Sequence, residues 1–167
     1  MLKLNPEREK NILLKAAEQM CVAARTAPKA NGEDIIVTGI LDGEELKKVQ
    51  EEMKRIGEEK GWHYMVRDAE NIENKVVVLI GAKPKSYPSV FCDPHDERIG
   101  KCIESAVDMG IAIGSAASTA MQLKVDTRIM LSIGIAVVNL KLLGEDVDMV
   151  YGIPLSISGK NPFFDRK

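Results

Sequence analysis

The residue types best suited to chemistry gather between residues 83 and 102, where Cys92 and His95 are spaced CxxH and Cys102 follows further along. Thiolate and imidazole are ordinary ligands of zinc and other transition metals. Three of them leave one position for Asp93, Asp96 or a group from a second subunit. The same spacing also occurs in loops that hold no metal, so a metal site and an ordinary loop both stand as readings. The third cysteine, Cys21, lies among Ala and Met at helical spacing, the setting of a buried structural thiol. Three cysteines are an odd count without a paired framework. In a reducing compartment they are thiols or ligands before they are disulfides.

Little else has the spacing of a catalytic motif. His63, between Trp62 and Tyr64, reads as a partly buried strand residue. No Ser-His-Asp or Cys-His signature, GxGxxG run or P-loop occurs. The pairs Glu44/Glu45 and Glu51/Glu52 read as solvated helix faces. Arg25, Lys29 and Lys160 are cations that either meet an anionic group or stand as solvated surface charges.

The elements that must position these residues follow from punctuation and period. Asn5 is a helix cap and Pro6 suits a first turn. Leu13, Ala17, Met20 and Ala24 then share one face, and Pro28 stops the helix near Thr26. Residues 29–32 (KANG) predict a turn and 34–41 (DIIVTGIL) a strand. Residues 42–45 (DGEE) have capping-box spacing, opening a helix on Leu46, Val49, Met53 and Ile56 that Gly57 and Gly61 close. Residues 62–66 predict a short strand. Residues 75–82 (KVVVLIGA) predict a strand buried on both faces.

Pro84, Pro88 and Pro94 make 83–97 a loop. Helices are predicted over about 98–123 and 127–143, the second ended by Gly144, then a strand at 147–153 and an extended polar tail from Pro154. The first of these two helices is paved with small residues: Gly110, Gly114 and Ala117 with Ala112, Ala116 and Ala120. Glycine in a helix costs about 1 kcal/mol relative to alanine, so close approach is expected there. Tight packing inside the subunit and a dimer or cofactor face account for it equally well.

Composition bounds the function. Apolar residues are 45% and charged residues 29% of the 167, which suits one globular domain with its own core. A net charge of -2 and an aromatic content of 4% give neither a basic footprint nor stacking rings, so nucleic acid is not expected as a partner. The longest uncharged run, 109–123, is shorter than the roughly 20 residues that span a bilayer. No leader is read at the N-terminus. The expectation is a cytoplasmic chain with no membrane partner.

Four stretches carry a family resemblance. Residues 25–31 (RTAPKAN), between helix and strand, resemble the nitroreductase segment after the first core helix. Residues 108–112 (DMGIA) resemble the start of that fold's central helix. Residues 152–156 (GIPLS) with 159–166 (GKNPFFDR) are similar to the tail of a family of uncharacterised ferredoxin-domain proteins, and 126–130 (DTRIM) completes the series. The resemblance implies one α+β domain over residues 1–167 with a nitroreductase-like three-layer fold. A central mixed sheet is flanked by helices, including a long small-residue central helix, and a degenerate ferredoxin-type cysteine loop occupies 83–102.

The resemblance further implies an intertwined homodimer that binds FMN in two interfacial clefts. Its cofactor residues would be Arg25, Thr26, Pro28, Lys29, Asn31, Gly114 and Lys160, with the 28–31 loop at the flavin ring and Lys160 near the phosphate. Nitroreductases usually carry an Arg-rich, Ser-containing phosphate segment upstream of the first core helix, and this sequence departs from that pattern, with only Lys3, Arg8 and Lys10 there. The family's CxxC run survives only as Cys92 and Cys102. Four thiolates hold a conventional cluster, so none is expected within one chain. The expected function is an FMN-dependent oxidoreductase of unknown substrate, with catalytic residues unassigned. The alternatives are a non-enzymatic metal- or iron-sulfur-binding protein using Cys92, His95 and Cys102, and a cofactor-free dimer that binds a partner.

Overall fold

In the computed structural model, which describes residues 3–85 and 103–163, the chain begins with helix α1 at Pro6–Thr26. The Asn5 side chain accepts the Arg8 N–H at 2.9 Å, satisfying one of the donors that a helix start leaves open. Leu13, Ala17, Met20 and Ala24 are buried together, as their spacing predicts. A short 3-10 turn at Ala30–Gly32 leads to strand β1, Ile36–Leu41.

Helix α2 is Gly43–Lys60 and buries Leu46, Val49, Met53 and Ile56. Asp42 sits at its N-cap but makes no capping-box hydrogen bond; its carboxylate pairs with Lys10 Nζ at 2.8 Å, tying α1 to α2. Gly61 ends α2 in the left-handed region at φ 68°. Gly57 instead lies inside the helix, where a β-carbon would come within 2.9 Å of the Val66 side chain. It is the crossing point for helix α3, His63–Asn71.

That helix corrects the predicted strand at 62–66. Its apolar residues Met65, Ala69 and Ile72 repeat at helical spacing and pack on α2. His63 is accordingly an exposed residue at the start of a helix.

Strand β2, Val76–Ala82, is buried throughout, helix α4 is Ile103–Gln122, and β3 is the pair Asp126–Thr127. Helix α5 is limited to Leu131–Asn139 and strand β4 is Met149–Ser156. The predicted helix over 127–143 is therefore shortened at both ends. At its start, Asp126 and Thr127 pair with Ser156 and Leu155, and Met130 exchanges two hydrogen bonds with Gly152, at 2.8 and 3.0 Å. At its end, Lys141 turns left-handed at φ 54°.

Pro154 lies within β4 opposite Val77 rather than opening a tail. It shares the parity of Gly152, whose N–H and C=O face Met130 and not β2, so the missing N–H takes nothing from the β2–β4 ladder.

The sheet order is β1-β2-β4-β3. Every pairing among the described residues is antiparallel, which corrects the expectation of a mixed sheet. Three layers result. One face carries α1 and α4 over Val76, Val78, Ile80, Ile153 and Leu155. The other carries α2, α3 and α5 over Val77, Leu79, Val147 and Val150. No helix among the described residues is long and apolar enough to cross a membrane.

Candidate functional site

Helix α4 organises the end of the sheet at which β1 begins and β2 ends. Its buried side is made of Met109, Ala112, Ile113, Ala116 and Ala120, which let α1 approach closely. Three polar side chains on α4 each hold another segment. Ser115 Oγ donates to the Ala23 carbonyl at 2.9 Å. Asp108, only 3% exposed, accepts the Ala30 N–H on both carboxylate oxygens, at 2.9 and 3.1 Å. Ser105, fully buried, accepts the Lys85 N–H at 3.1 Å and donates to the Lys85 carbonyl at 3.0 Å. A Glu33–Lys85 ion pair and the Lys83 N–H on the Ile35 carbonyl at 2.9 Å join the two held segments directly.

The segment from Arg25 to Asn31 is thus fixed at both sides of its turn. Arg25 pairs with Asp34, and Thr26 Oγ donates back to the Val22 carbonyl at 3.0 Å. Lys29 Nζ folds onto the end of α1, donating to the carbonyls of Arg25 and of Ala27, the latter at 2.9 Å. There the cation meets the negative pole of the helix. Asn31 is exposed and left-handed at φ 54°, a conformation Asn tolerates better than most residues. The structure therefore brings together Arg25, Thr26, Pro28, Lys29 and Asn31.

Lys160 is not with them. Ile36, Ala82 and Met149 lie at the end of the sheet near the Lys29 turn, whereas Leu155 pairs with Val76 at the far end. Lys160 follows that far end and is held there: Ser156 and Ser158 hydroxyls lie 3.0 Å apart, and Ser158 bonds the Lys160 carbonyl. The eight residues of β4, roughly 25 Å from end to end, run between the two ends of the sheet that these groups follow.

Gly114 stands midway along α4. A β-carbon at Gly110 or Gly114 would meet nothing within 4 Å among the described residues, so these glycines make no close packing against them. They lie on a face of α4 where Ile103, Val107, Ile111 and Met121 are 41–70% exposed. Beside this face runs a groove of about 1060 Å³ between α4, α5 and the start of β4. Ile113, Leu131, Ile135 and Met149 line it together with Arg55, Lys60 and Trp62.

Cys92, His95 and Cys102 lie outside the described residues. Among the described residues no three His, Cys, Asp or Glu side chains gather as a metal site. Burial pushes the thiol of Cys21, packed against the α1–α4 core, above its ordinary range.

Sequence reading missed Asp108 and Ser105 as side chains of α4 that hold other segments of the chain. The signal was there: beyond Glu104 in the first turn, Asp108 is the only charge in the twenty residues of α4. A lone carboxylate in an apolar helix needs a partner.

Comparison with known proteins agrees with this architecture. Residues 99–166 match the family described as "Uncharacterized protein containing a ferredoxin domain (DUF2148)". An uncharacterized protein of Archaeoglobus fulgidus is 39% identical over 181 residues, covering 98% of this chain and 97% of the relative. Among solved structures, an oxidoreductase containing FMN superposes with a TM-score of 0.62 at 14% identity, over 87% of this chain and 67% of the other. Nitroreductase CinD from Lactococcus lactis, in complex with nicotinic acid, superposes with a TM-score of 0.62 at 15% identity, over 91% and 84%. At these identities the likeness to the solved structures is one of fold.

Proposed function

The chain belongs to this ferredoxin-domain family and has the nitroreductase fold, and from that premise we propose that it is an FMN-binding homodimer. In this reading it passes electrons or hydride from a nicotinamide donor to an acceptor, and each flavin site is built from two copies of the chain. The observation that carries the reading is the separation of Lys29 and Asn31 from Lys160 by the length of β4. Residues suited to a flavin ring and to its phosphate stand at opposite ends of one protomer. A second copy, reversed end to end, would bring one protomer's ring loop to the other's phosphate lysine.

The uncovered face of α4 supports the same arrangement. Exposed Val107, Ile111 and Met121 flank the open glycines, an apolar stripe of the kind that a partner or a flat ligand covers. The residues present fit a flavin. Among the described residues there is room beside Gly110 and Gly114, the adjoining groove is apolar, and Lys29 and Asn31 stand at one end of the sheet with Lys160 at the other. Bound FMN would supply the electron and hydride chemistry.

The chain's own residues bind and orient. Asn31 both donates and accepts hydrogen bonds at a ring edge. Lys29 brings positive charge to the pyrimidine end, where charge accumulates on reduction, and Lys160 offers a cation to phosphate. Apolar walls of the groove exclude water from the ring. Arg25 and Thr26 stiffen the end of α1 beneath the loop.

Complementation tests the composite site. Lys29→Ala and Lys160→Ala proteins are titrated separately with FMN, then mixed under conditions that exchange subunits. Neither variant should bind well alone. The mixture should recover about a quarter of the wild-type sites, because half of the dimers are hybrids and each hybrid holds one intact site. Failure to recover any sites would place both lysines in the same chain's site or in none. Wild-type protein that stays colourless after incubation with FMN would leave a cofactor-free dimer as the better reading.

A further inference from the structure

We infer that Asp108 is a positioning residue for the flavin loop, acting through the Ala30 N–H. The inference rests on the FMN reading above.

The geometry sets Asp108 apart from an ordinary buried acid. Its carboxylate is 3% exposed, yet Ala30 N–H is its only hydrogen-bond donor among the described residues, shared between the two oxygens at 2.9 and 3.1 Å. A carboxylate offers about four acceptor sites, so this one is held inside by a single backbone group from a distant part of the chain. Ala30 lies between Lys29 and Asn31, the two residues assigned to the ring.

Lys29 is extended before it, at φ -136° and ψ 148°, and Asn31 is left-handed after it. The turn's own hydrogen bonds, Gly32 N–H to the Lys29 carbonyl and Glu33 N–H to the Ala30 carbonyl at 3.1 Å each, set its local shape, and the Asp108 bond anchors that shape to α4. Fixing Ala30 from below decides which way both side chains leave the turn. Ser105, one turn earlier on α4, holds Lys85 in the same manner, and the Glu33–Lys85 ion pair closes the loop of contacts. The N-terminal half of α4 is therefore the platform from which the ring-binding turn is aimed. A hydrogen bond to a charged group in a water-poor site is strong enough to do this.

The experiment compares FMN affinity in the full-length protein and three variants, well below their melting temperatures. Asp108→Ala removes the acceptor. Ala30→Pro removes the donor while leaving the core alone, and the extended backbone of Lys29 is the one a following proline requires. Asp108→Asn restores an acceptor oxygen. The expected result is a loss of about tenfold or more in FMN affinity for both Asp108→Ala and Ala30→Pro. The double variant should lose no more than either single one. Asp108→Asn should recover most of the affinity, and the bound-flavin absorption bands should shift in the two weak variants only.

Should the wild type bind FMN while Asp108→Ala and Ala30→Pro bind it equally well, the positioning role is overturned and the FMN reading stands. Additive losses in the double variant would also overturn it, since the two residues would then act separately. Wild-type protein without FMN affinity overturns the cofactor reading itself, and this inference with it.

Discussion

Gly134 on α5 lies so close to Val150 on β4 that a β-carbon at Gly134 would sit 1.7 Å from the Val150 carbonyl oxygen. The contact is matched nearby, where a β-carbon on Gly152 would come within 2.4 Å of Ile133. Helix and strand thus meet backbone to backbone, and the packing of α5 on the sheet depends on both hydrogens.

Gly134→Ala should therefore cost about 3 kcal/mol or more, since the obstructing atom is main chain and α5 must lift to make room. Urea unfolding would show this as a lower midpoint at an unchanged slope. A midpoint equal to wild type would mean that α5 shifts freely on β4.

The glycines of α4 should behave in the opposite way. No described residue comes within 4 Å of a β-carbon at Gly110 or Gly114, so an alanine at either site gains up to about 1 kcal/mol of helix propensity in the isolated fold. The paired variant should melt no lower than wild type at high dilution. If this face meets a second copy or a flavin, the same variant should dimerise or retain FMN more weakly. Sedimentation across a concentration series separates the two effects, and undiminished dimerisation together with full FMN retention would remove the glycine face from the site.

Acid should loosen the contact between α2 and α5. Arg55 hydrogen-bonds Glu52 and holds its carboxyl below the ordinary carboxylate range, against the opposing effect of burial; Asn139 of α5 adds a further bond. A carboxyl with a lowered folded pKa contributes stability above its unfolded value near 4.5. That contribution is lost as pH falls through the folded value. Glu52→Gln should flatten the decline in unfolding free energy below pH 4.5; an unchanged slope would assign the acid sensitivity to other carboxylates. Glu52 is the one member of the paired glutamates not solvated as read from sequence: its side chain is 11% exposed.

Cys21 should resist alkylation. Burial raises its thiol pKa, so the neutral form is favoured in the folded state, and the associated stability is present below the unfolded thiol pKa and lost as pH rises above it. Peptide mass analysis after iodoacetamide at pH 8 should find Cys21 largely unmodified in native protein and fully modified in urea. Equal labelling in both would mean that α1 opens readily.

Legibility in the sequence followed the range of the interaction. The α1 cap, the burial of β2 and the stripe on α2 are written in neighbouring residues, because capping and periodicity act within a few positions. Residues 62–66 misled for the same reason: five bulky residues look like a strand until Met65, Ala69 and Ile72 are seen packing beside Gly57. Thr127 and Met130 fall inside the predicted helix 127–143, and pairing with β4 draws them to the sheet instead.

By itself the sequence determined the layered α+β fold, the Asn5 cap of α1, the small-residue helix and the family, all carried by local chemistry and ordered motifs. Only the tertiary structure decided that the sheet is antiparallel and that Asp108 reaches Ala30 across 78 residues. It also decided that the glycines of α4 face outward and that Lys29 and Lys160 stand at opposite ends of β4. Each of these depends on which way a face points or which end of a strand a loop joins. The chain fixes such directions only when its layers close on one another.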